Sequence, residues 1–544
     1  MSDKKRGNFI KGAVILSAAG FIARVMGFVY RVVLIRIIGS EGIGLYQMAY
    51  PIYTILLVIS RSGIPVALAK LISDRVAKDY RKEAFKIFKV ARYMSLGIGL
   101  LFSLLMAALA GPIINILNLN PKAYYSILAI SPAIFFVSIM AAYRGFFQGL
   151  QNMIPTAVSQ IVEQFVRMFT MIGLAYFLVQ YGLEFAAAGA SFGAVTGALA
   201  GLFILIYIYY KRRNETWDFV KVGSLNTNSS ISIMKEIAAL GLPVTLGALV
   251  QPLMNLVDLI FVPARLQVAG FTVEQATSLY GEFWGAAMPL VKFPTIITIS
   301  LAASLVPSIS EAFALKKDKL IKRRTSTAIR LTILIGLPSS VGLFALAAPL
   351  TGVIFNEPGA AIPLYIVSWG VLFITLQQTS SAILQGLSKP SIPARNLLIG
   401  AVANGVINYT LTALPQFGIR GAALGTLIGF AVAAGLNLFY VKRFTGFEFK
   451  FKELLLKPVA AVLVMAIIVN RGLPVMDYFI GLFFPENSYS IGTFLIVIFA
   501  ALQYSICLVL FNEIRYGDLI LIPKFGRKIA DTLFEWGLVN KKNE

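Results

Sequence analysis

The feature that most constrains this fold is a series of long apolar runs separated by short basic connections. A hydrocarbon core of ~30 Å needs about 20 residues of helix to cross it. Backbone groups in lipid must be paired within the protein, so a spanning segment is a helix or part of a closed barrel. These runs do not alternate polar and apolar residues, which excludes the barrel. With 58% hydrophobic and 13% charged residues, the chain is predicted to be an all-α polytopic membrane protein.

Hydropathy, with breaks at glycine, proline and charged residues, predicts fourteen transmembrane helices. The first follows a basic head, as in a signal peptide, but has no small-residue cleavage site, so we expect it to be retained. The predicted spans are 9–37, 43–69, 88–117, 122–147, 155–180, 184–210, 234–264, 279–308, 327–350, 361–386, 393–415, 418–441, 456–471 and 488–512.

Basic residues in the connections predict how these helices are oriented. Most of the 48 lysines and arginines, with Arg144 counted among them, fall in alternate connections and at the chain ends. The positive-inside rule then places both termini in the cytoplasm. The net charge of +23 is explained by topology and by contact with anionic lipid, so no nucleic acid partner is predicted.

Several residue types used in catalysis are missing or rare. The chain has no histidine and a single cysteine, Cys507. The commonest general base and metal ligand is therefore absent, and no disulfide can form within the chain. There is no Walker A loop and no complete G-x-G-x-x-G motif, which disfavours a nucleotide-driven pump. We predict no enzymatic activity.

An internal repeat divides the chain. "FFQGLQNMIPTAVSQ" (146–160) matches "ILQGLSKPSIPARNL" (383–397), and "YGLEFAAAGASFGAV" (181–195) matches "FGIRGAALGTLIGFA" (417–431). The copies predict two pseudo-symmetric six-helix lobes in parallel topology, an arrangement typical of secondary transporters with a mid-membrane site between lobes. The predicted segments are an N-terminal lobe (1–212), a cytoplasmic linker (213–233), a C-terminal lobe (234–445), two further helices (446–513) and a basic cytoplasmic tail (514–544).

Five cations lie inside predicted spans, where each costs roughly 2.5–3.5 kcal/mol or more. Arg24 and Arg31 are seven residues apart, on one face of the first helix and about 10 Å from each other. Guanidinium binds phosphate bidentately and stays ionised. We therefore predict a cationic site for a diphosphate, with Arg24 and Arg31 at its centre. Lys292, near Pro289 and Pro294, and Arg61 are the further predicted contacts, and Arg167 is the fifth cation.

Acidic and amide side chains in the spans have more than one interpretation. Glu163 precedes Arg167 by four residues, so the pair either locks its helix or takes part in substrate contact. Asp258 shares a stripe with Gln251 and Asn255. It either pairs with an arginine or binds a coupling cation.

Longer stretches resemble a known family. They are "FIARVMGFVYRVVLIRIIGSEGIGLYQMAYP", "RGFFQGLQNMIPTAVSQIVEQFVR", "GLPVTLGALVQPLMNLVDLIFVPARL" and "ILQGLSKPSIPARNLLIGAVANGVINYTLT". These segments resemble the MurJ lipid II flippases and the related stage V sporulation protein B group. Both belong to the polysaccharide branch of the MOP (MATE-like) exporter superfamily. The resemblance covers essentially the whole chain.

The resemblance implies a V-shaped pair of lobes that works by alternating access in the bacterial cytoplasmic membrane. A central cationic cavity would bind an undecaprenyl-diphosphate-linked sugar, and the last two helices would form a groove for its lipid tail. The expected function is movement of lipid II from the inner to the outer leaflet, for cell-wall or spore-cortex synthesis. Cell-wall synthesis machinery is the expected protein partner.

No cofactor is expected beyond a driving force, either Na⁺ or the membrane potential. The resemblance implies a sodium site on the seventh, eleventh and twelfth helices. The matching positions are Asp258, Asn404, Asn408 and Thr426. Asn408 is neutral where some members of the family carry an acid, which weakens this expectation.

Three alternatives remain open from the sequence. A flippase for another lipid-linked glycan, such as a teichoic acid or capsule unit, would bind the same diphosphate. A cation-coupled multidrug exporter is disfavoured because cations outnumber acids in the spans. A membrane glycosyltransferase or polymerase is disfavoured because the acids of the predicted outer loops are scattered.

Overall fold

The computed structural model describes residues 3–211, 229–448, 451–511, 513, 531–532 and 534–535. Within these ranges every regular element is a helix and no strand is present. The predicted all-α class is thereby confirmed. Most of the predicted linker (213–233) and most of the predicted tail (514–544) lie outside the described residues.

Seven α-helices are described before residue 212. The first covers the first predicted span and most of the second, and it has non-helical backbone only at Gly39, with φ 64° and ψ −176°. Glycine adopts a positive φ without steric cost, so Gly39 lets the chain turn between the two spans. The helices are α1 (Asp3–Arg61), α2 (Gly63–Ala77), α3 (Arg81–Ile116), α4 (Ala123–Ile130), α5 (Pro132–Gly149), α6 (Ile154–Leu178) and α7 (Leu183–Lys211).

Twelve α-helices are described between residues 229 and 511. They are α8 (Ser230–Val268), α9 (Val273–Gly281), α10 (Met288–Lys292), α11 (Thr295–Ala314), α12 (Asp318–Ala345), α13 (Ala347–Leu350), α14 (Ala361–Val367), α15 (Gly370–Gly386), α16 (Ser391–Leu411), α17 (Ile419–Thr445), α18 (Phe451–Gly481) and α19 (Ser488–Leu510). Two π-helical segments, Glu282–Ala287 and Thr351–Phe355, interrupt this series.

The chain is a multi-pass membrane protein, but the predicted count of fourteen spans is not confirmed. Among the described residues, 11 helices are long and apolar enough to cross a membrane, or 12 if the pair Pro358–Val367 and Gly370–Gly386, bent by 51°, is one span. Residues Ala18–Ala77 form a single candidate, because α1 and α2 follow each other with only Ser62 between them and together cover two predicted spans. α16 is not among these candidates, and Arg395, Asn396, Asn404 and Asn408 all lower its mean hydropathy.

The described helices form two compact units, and each unit contains two separate stretches of the chain. The first contains residues 1–286 and 404–422, and the second contains 287–403 and 423–544. In the first unit α8 packs against both α1 and α2, and α9 packs against α1. In the second unit α11 and α12 pack against α15, and α18 packs against α12 and α19. The lobe limits at 212 and 234 stay a prediction.

One contact in the first unit is made by backbone alone. Gly63 begins α2 and faces Gly241 of α8, and a Cβ atom on Gly63 would collide with the Gly241 carbonyl oxygen. Both glycines are buried. The close approach of α2 and α8 therefore depends on the absence of a side chain at Gly63.

Gly63→Ala should lower the free energy of unfolding by about 1–3 kcal/mol, because the added methyl group forces the two helices apart. Thermal unfolding of the purified protein in detergent would measure this. Gly97→Ala is the matched control, because a Cβ on Gly97 has no atom within 4 Å. Equal stability of the two variants would contradict the importance of the contact.

Candidate functional site

The three arginines predicted to bind substrate from the first two spans all lie on α1. Arg24 is exposed, while Arg31 and Arg61 are half-buried. The Nε atom of Arg31 is buried and has no hydrogen-bond partner. None of the three forms an ion pair with the residues that the structure describes. Their positive charge is therefore uncompensated at short range.

A row of tyrosines follows on the same helix. The ring centroids of Tyr46 and Tyr50 are 5.9 Å apart, and those of Tyr50 and Tyr53 are also 5.9 Å apart. Tyr46 and Tyr53 are buried, and Tyr50 is half-buried. Arg31 and Arg167 interact electrostatically with the hydroxyls of both Tyr46 and Tyr50. The row thus lies in the field of guanidinium groups from α1 and α6.

This row of tyrosines is not among the residues predicted from the sequence. Its signal is the spacing of Tyr46, Tyr50 and Tyr53, which places three aromatic rings on one face of a helix. Arg61 also interacts electrostatically with Tyr50 and Tyr53. The row is therefore part of the cationic region, and it supplies hydroxyl groups that can donate to an oxyanion.

An ion-pair network joins α5 to α6 in the same unit. The Nη2 atom of Arg144 donates to Oε2 of Glu163 at 2.9 Å, and Nη2 of Arg167 donates to Oε1 of the same carboxylate at 2.8 Å. The Nε atom of Arg144 also donates to Oγ of Ser159 at 3.0 Å. Two guanidinium groups therefore share one carboxylate, and the network carries a net charge of about +1.

Arg144 is the member of this network that sequence reasoning missed. It was counted as a cytoplasmic connection charge, but it lies in α5 and is only 8% exposed. A buried arginine needs a partner, since an unpaired charge in a low-dielectric interior is costly. Its partner Glu163 is on the next helix, and no helical spacing rule connects the two positions.

Lys292 belongs to the second unit. It is the last residue of the short helix α10, and its side chain is exposed. Its predicted role as a further phosphate contact stays a prediction. The breaks around it match the proline-rich sequence, because α10 starts one residue before Pro289 and α11 starts directly after Pro294.

A second candidate site lies around Asp258 of α8. The Oδ1 atom of Asp258 accepts hydrogen bonds from Nδ2 of Asn404 and Nδ2 of Asn408, each at 2.6 Å. Asp258 is 2% exposed, and both asparagines are completely buried. Asn255 is half-buried and Gln251 is exposed. Three of the four predicted sodium ligands therefore meet in the first unit.

Thr426, the fourth predicted ligand, belongs to the second unit and is 2% exposed. Its Oγ1 atom is buried and has no hydrogen-bond partner among the described residues. The structure therefore supports a three-residue cluster of Asp258, Asn404 and Asn408. A place for Thr426 in this cluster stays a prediction.

The chemistry of the three-residue cluster suits a hard cation. The Oδ1 atoms of Asn404 and Asn408 are buried without hydrogen-bond partners. The nitrogen and oxygen of an amide exchange places when it turns by 180°, so both side chains can present oxygen toward the position beside Asp258. One carboxylate and two amide oxygens are ligands of the kind that Na⁺ or Ca²⁺ takes.

An apolar cavity of ≈ 440 Å³ lies in the second unit. α12, α14 and α18 line it, together with Trp369, which directly precedes α15. The cavity has the dimensions and the lining of a site for an apolar chain or ring, and α18 is the first of the two helices predicted to form a lipid-tail groove. Its lining includes Leu337, Phe344, Tyr365, Trp369, Val462 and Leu463.

Asn408→Ala should lower the free energy of unfolding by about 1–3 kcal/mol, because it removes a hydrogen bond to the buried carboxylate of Asp258. Thermal unfolding would measure the loss. Thr410→Ala is the matched control, because Thr410 is exposed and its hydroxyl bonds only to backbone of its own helix. No difference between the two variants would argue against the cluster.

Two family models together match most of the chain. A model for "Polysaccharide biosynthesis protein" matches residues 9–313, and a second model, "MatE", matches residues 284–410. Together they cover the helices that carry the arginines, the ion-pair network and the Asp258 cluster.

Curated relatives match over nearly the full length. Stage V sporulation protein B of Bacillus subtilis (strain 168) is 32% identical over 521 residues, covering 96% of this chain and 99% of the relative. Lipid II flippase MurJ of the same organism is 27% identical over 517 residues, covering 90% and 92%. The chain is homologous to both proteins.

Solved structures share the fold. An inward-facing multidrug resistance MATE family transporter of the MOP superfamily matches with a TM-score of 0.66 and 15% identity, covering 80% of this chain and 98% of that one. The lipid II flippase MurJ in an inward closed conformation matches with a TM-score of 0.63 and 18% identity, covering 93% and 100%. At these identities the likeness establishes the fold and leaves the substrate open.

Proposed function

The chain belongs to the polysaccharide biosynthesis protein family of membrane flippases, and we propose that it moves lipid II from the inner to the outer leaflet. The observation that carries the proposal is the group of uncompensated guanidinium groups on α1. Arg31 has a buried Nε atom without a partner, and no described acid pairs with Arg24 or Arg61. A guanidinium group within a membrane span that has no counter-ion among the described residues favours an anionic ligand.

The substrate contacts follow from the chemistry of a diphosphate. Arg24 and Arg31 each bind phosphate oxygens through two N–H groups, which fixes the headgroup as well as attracting it. Arg61, at the last residue of α1, guides the headgroup into the site. Lys292 is the further predicted phosphate contact, as a point charge. The apolar chain of the lipid lies against the cavity lined by α12 and α18.

Transport in this proposal is alternating access, without catalysis of a chemical reaction. The two predicted six-helix lobes, 1–212 and 234–445, rock about the headgroup, and the lipid tail stays in the bilayer. The termini face the cytoplasm, and cell-wall synthesis machinery receives the product at the outer leaflet. The membrane potential favours outward movement of an anion by about 2.3 kcal/mol per charge per 100 mV.

Na⁺ is a candidate coupling ion. Asp258, Asn404 and Asn408 would hold it through one carboxylate and two amide oxygens, with Thr426 as the fourth predicted ligand. A bound cation would neutralise the buried carboxylate. The three clustered residues support this proposal because their amide oxygens lack other partners among the described residues.

Arg24→Ala and Arg31→Ala should each abolish movement of fluorescent lipid II across proteoliposome membranes, because each removes a phosphate-binding guanidinium. Arg36→Ala is the matched control on the same helix, since Arg36 is exposed and lies outside the proposed site. Accessibility of the label to an external quencher measures movement. Full activity of either site variant would contradict a substrate-binding role for that residue.

A teichoic-acid-type lipid diphosphate, added as a competitor, tests the glycan. Movement of lipid II that the competitor does not block supports a peptidoglycan precursor as the substrate. If wild-type protein binds the competitor and does not move lipid II, the substrate is another lipid-linked glycan. Cationic drugs added as competitors test the multidrug exporter in the same assay, and inhibition by them alone would contradict the proposal.

Asp258→Asn should remove any stabilisation by Na⁺, because a neutral amide binds a cation much more weakly than a carboxylate. The wild-type melting temperature should rise with Na⁺ at constant ionic strength, with K⁺ as the replacement salt. Asn255→Ala, which alters the same helix outside the three-residue cluster, is the control. Identical melting curves of wild-type protein in both salts would rule out the sodium site.

A further inference from the structure

The network of Arg144, Glu163 and Arg167 is asymmetric in a way that a purely structural lock does not require. Arg144 donates to both Ser159 and Glu163, and its whole residue is 8% exposed. Arg167 donates to Glu163 alone, and its Nε atom is buried without a partner. Arg144 thus has two hydrogen-bond partners, whereas Arg167 has N–H groups that no described residue accepts.

Arg167 and Arg31 have tyrosine neighbours in common. Arg167 interacts electrostatically with Tyr30, Tyr50 and Tyr53, all of α1. Arg31 interacts with Tyr50 from within α1. α6 approaches α1 closely here, since a Cβ atom on Gly27 would lie 3.7 Å from Nε2 of Gln164. The Tyr50 hydroxyl, which is half-buried, therefore lies within electrostatic range of guanidinium groups from two helices that pack together.

The internal repeat supplies a natural comparison. The two copies are offset by 237 residues around Arg144 and by 236 residues in the following helix, so Ser381, Asn396 and Asn437 correspond to Arg144, Ser159 and Gly201. In the second copy Asn396 donates to Asn437 at 2.9 Å, and Asn437 donates to Ser381 at 3.0 Å.

The counterparts of Arg144 and Ser159 are thus joined without charge, whereas Asn404, the counterpart of Arg167, donates to the carboxylate of Asp258. A buried hydrogen-bonded lock at this place in the repeat therefore does not need ionised groups, which are expensive to bury. The charges of the first network call for a further explanation, and an excess of one positive charge points to an anionic ligand.

We propose that Arg167 is a further substrate-binding residue, which forms with Arg31 and Tyr50 a subsite for a phosphate oxyanion, and that Glu163 is the positioning residue that holds it. This deepens the proposed function and rests on it. The ligand class is a diphosphate ester, whose oxygens accept hydrogen bonds from the N–H groups of both guanidinium groups that have no other partner among the described residues. Glu163 lowers the cost of keeping Arg167 ionised while no substrate is bound.

The proposal predicts opposite effects for the two ends of one ion pair. Arg167→Gln should weaken diphosphate binding by about tenfold or more, because it removes a charge-assisted contact. Glu163→Gln should strengthen binding by about threefold or more, because it removes a negative charge that competes for the same guanidinium. A structural lock predicts that both variants lose stability and that neither gains affinity.

The measurement is the dissociation constant of purified full-length protein in detergent, for inorganic pyrophosphate and for lipid II, at two salt concentrations. Arg167→Gln should also reduce the salt dependence of binding, since one charge is lost. Tight binding of lipid II alone assigns the subsite to the lipid headgroup. Tight binding of both ligands assigns it to the diphosphate group itself, and either result supports the subsite.

Two further variants act as controls. Asn437→Ala breaks the neutral network of the second copy, so it should lower the melting temperature and leave diphosphate affinity unchanged. Arg144→Gln combined with Glu163→Gln keeps the net charge of the network and frees Arg167. The double variant should bind at least as tightly as wild type, and it replaces Glu163→Gln if the single variant does not fold.

The failure of this inference can be told apart from failure of the proposed function. If wild-type protein binds and moves lipid II and Arg167→Gln does so equally well, Arg167 is not a substrate contact and only the subsite is overturned. A parallel loss of affinity in Arg167→Gln and Glu163→Gln would overturn it as well. If wild-type protein binds no lipid-linked diphosphate, the proposed function falls and the subsite falls with it.

Discussion

The cost of an ionised group in hydrocarbon governs the arrangement of this protein. Most basic residues lie in the predicted connections between spans, many of them in the helix ends there, where water and lipid headgroups solvate them. Within the spans, Arg144 and Arg167 are paired with Glu163, whereas Arg24, Arg31 and Arg61 are collected on α1 without a short-range counter-ion among the described residues. The first arrangement joins two helices, and the second creates a site that favours an anion.

Much of the fold could be predicted from the sequence, because lipid imposes helices wherever the chain crosses it. The number of spans could not be fixed, since hydropathy does not say whether the chain turns at Gly39 by a loop or by one residue of positive φ. The asparagines of α16 had a similar effect, because they make a packed helix too polar to qualify by composition. Both cases depend on packing against neighbouring helices.

The candidate-site residues that could be predicted are those that stand out individually in the sequence. Arg24 and Arg31 stand out by position alone, and the partners of Asp258 came from the family resemblance. Arg144 could not be assigned to Glu163 from the sequence, because their meeting depends on how α5 packs on α6. The same limit applies to the tyrosine row, whose spacing is visible but whose neighbours across the helix interface are not.

The contact between Gly63 and Gly241 has a consequence for the energetics of conformational change. Two glycines touch through backbone, so the interface buries almost no apolar side-chain surface at that point. Separating the helices there would expose little hydrophobic area, and the hydrophobic penalty scales with that area. The crossing point itself therefore contributes little hydrophobic free energy to the packing of α2 on α8, and it depends on the close approach of the two backbones.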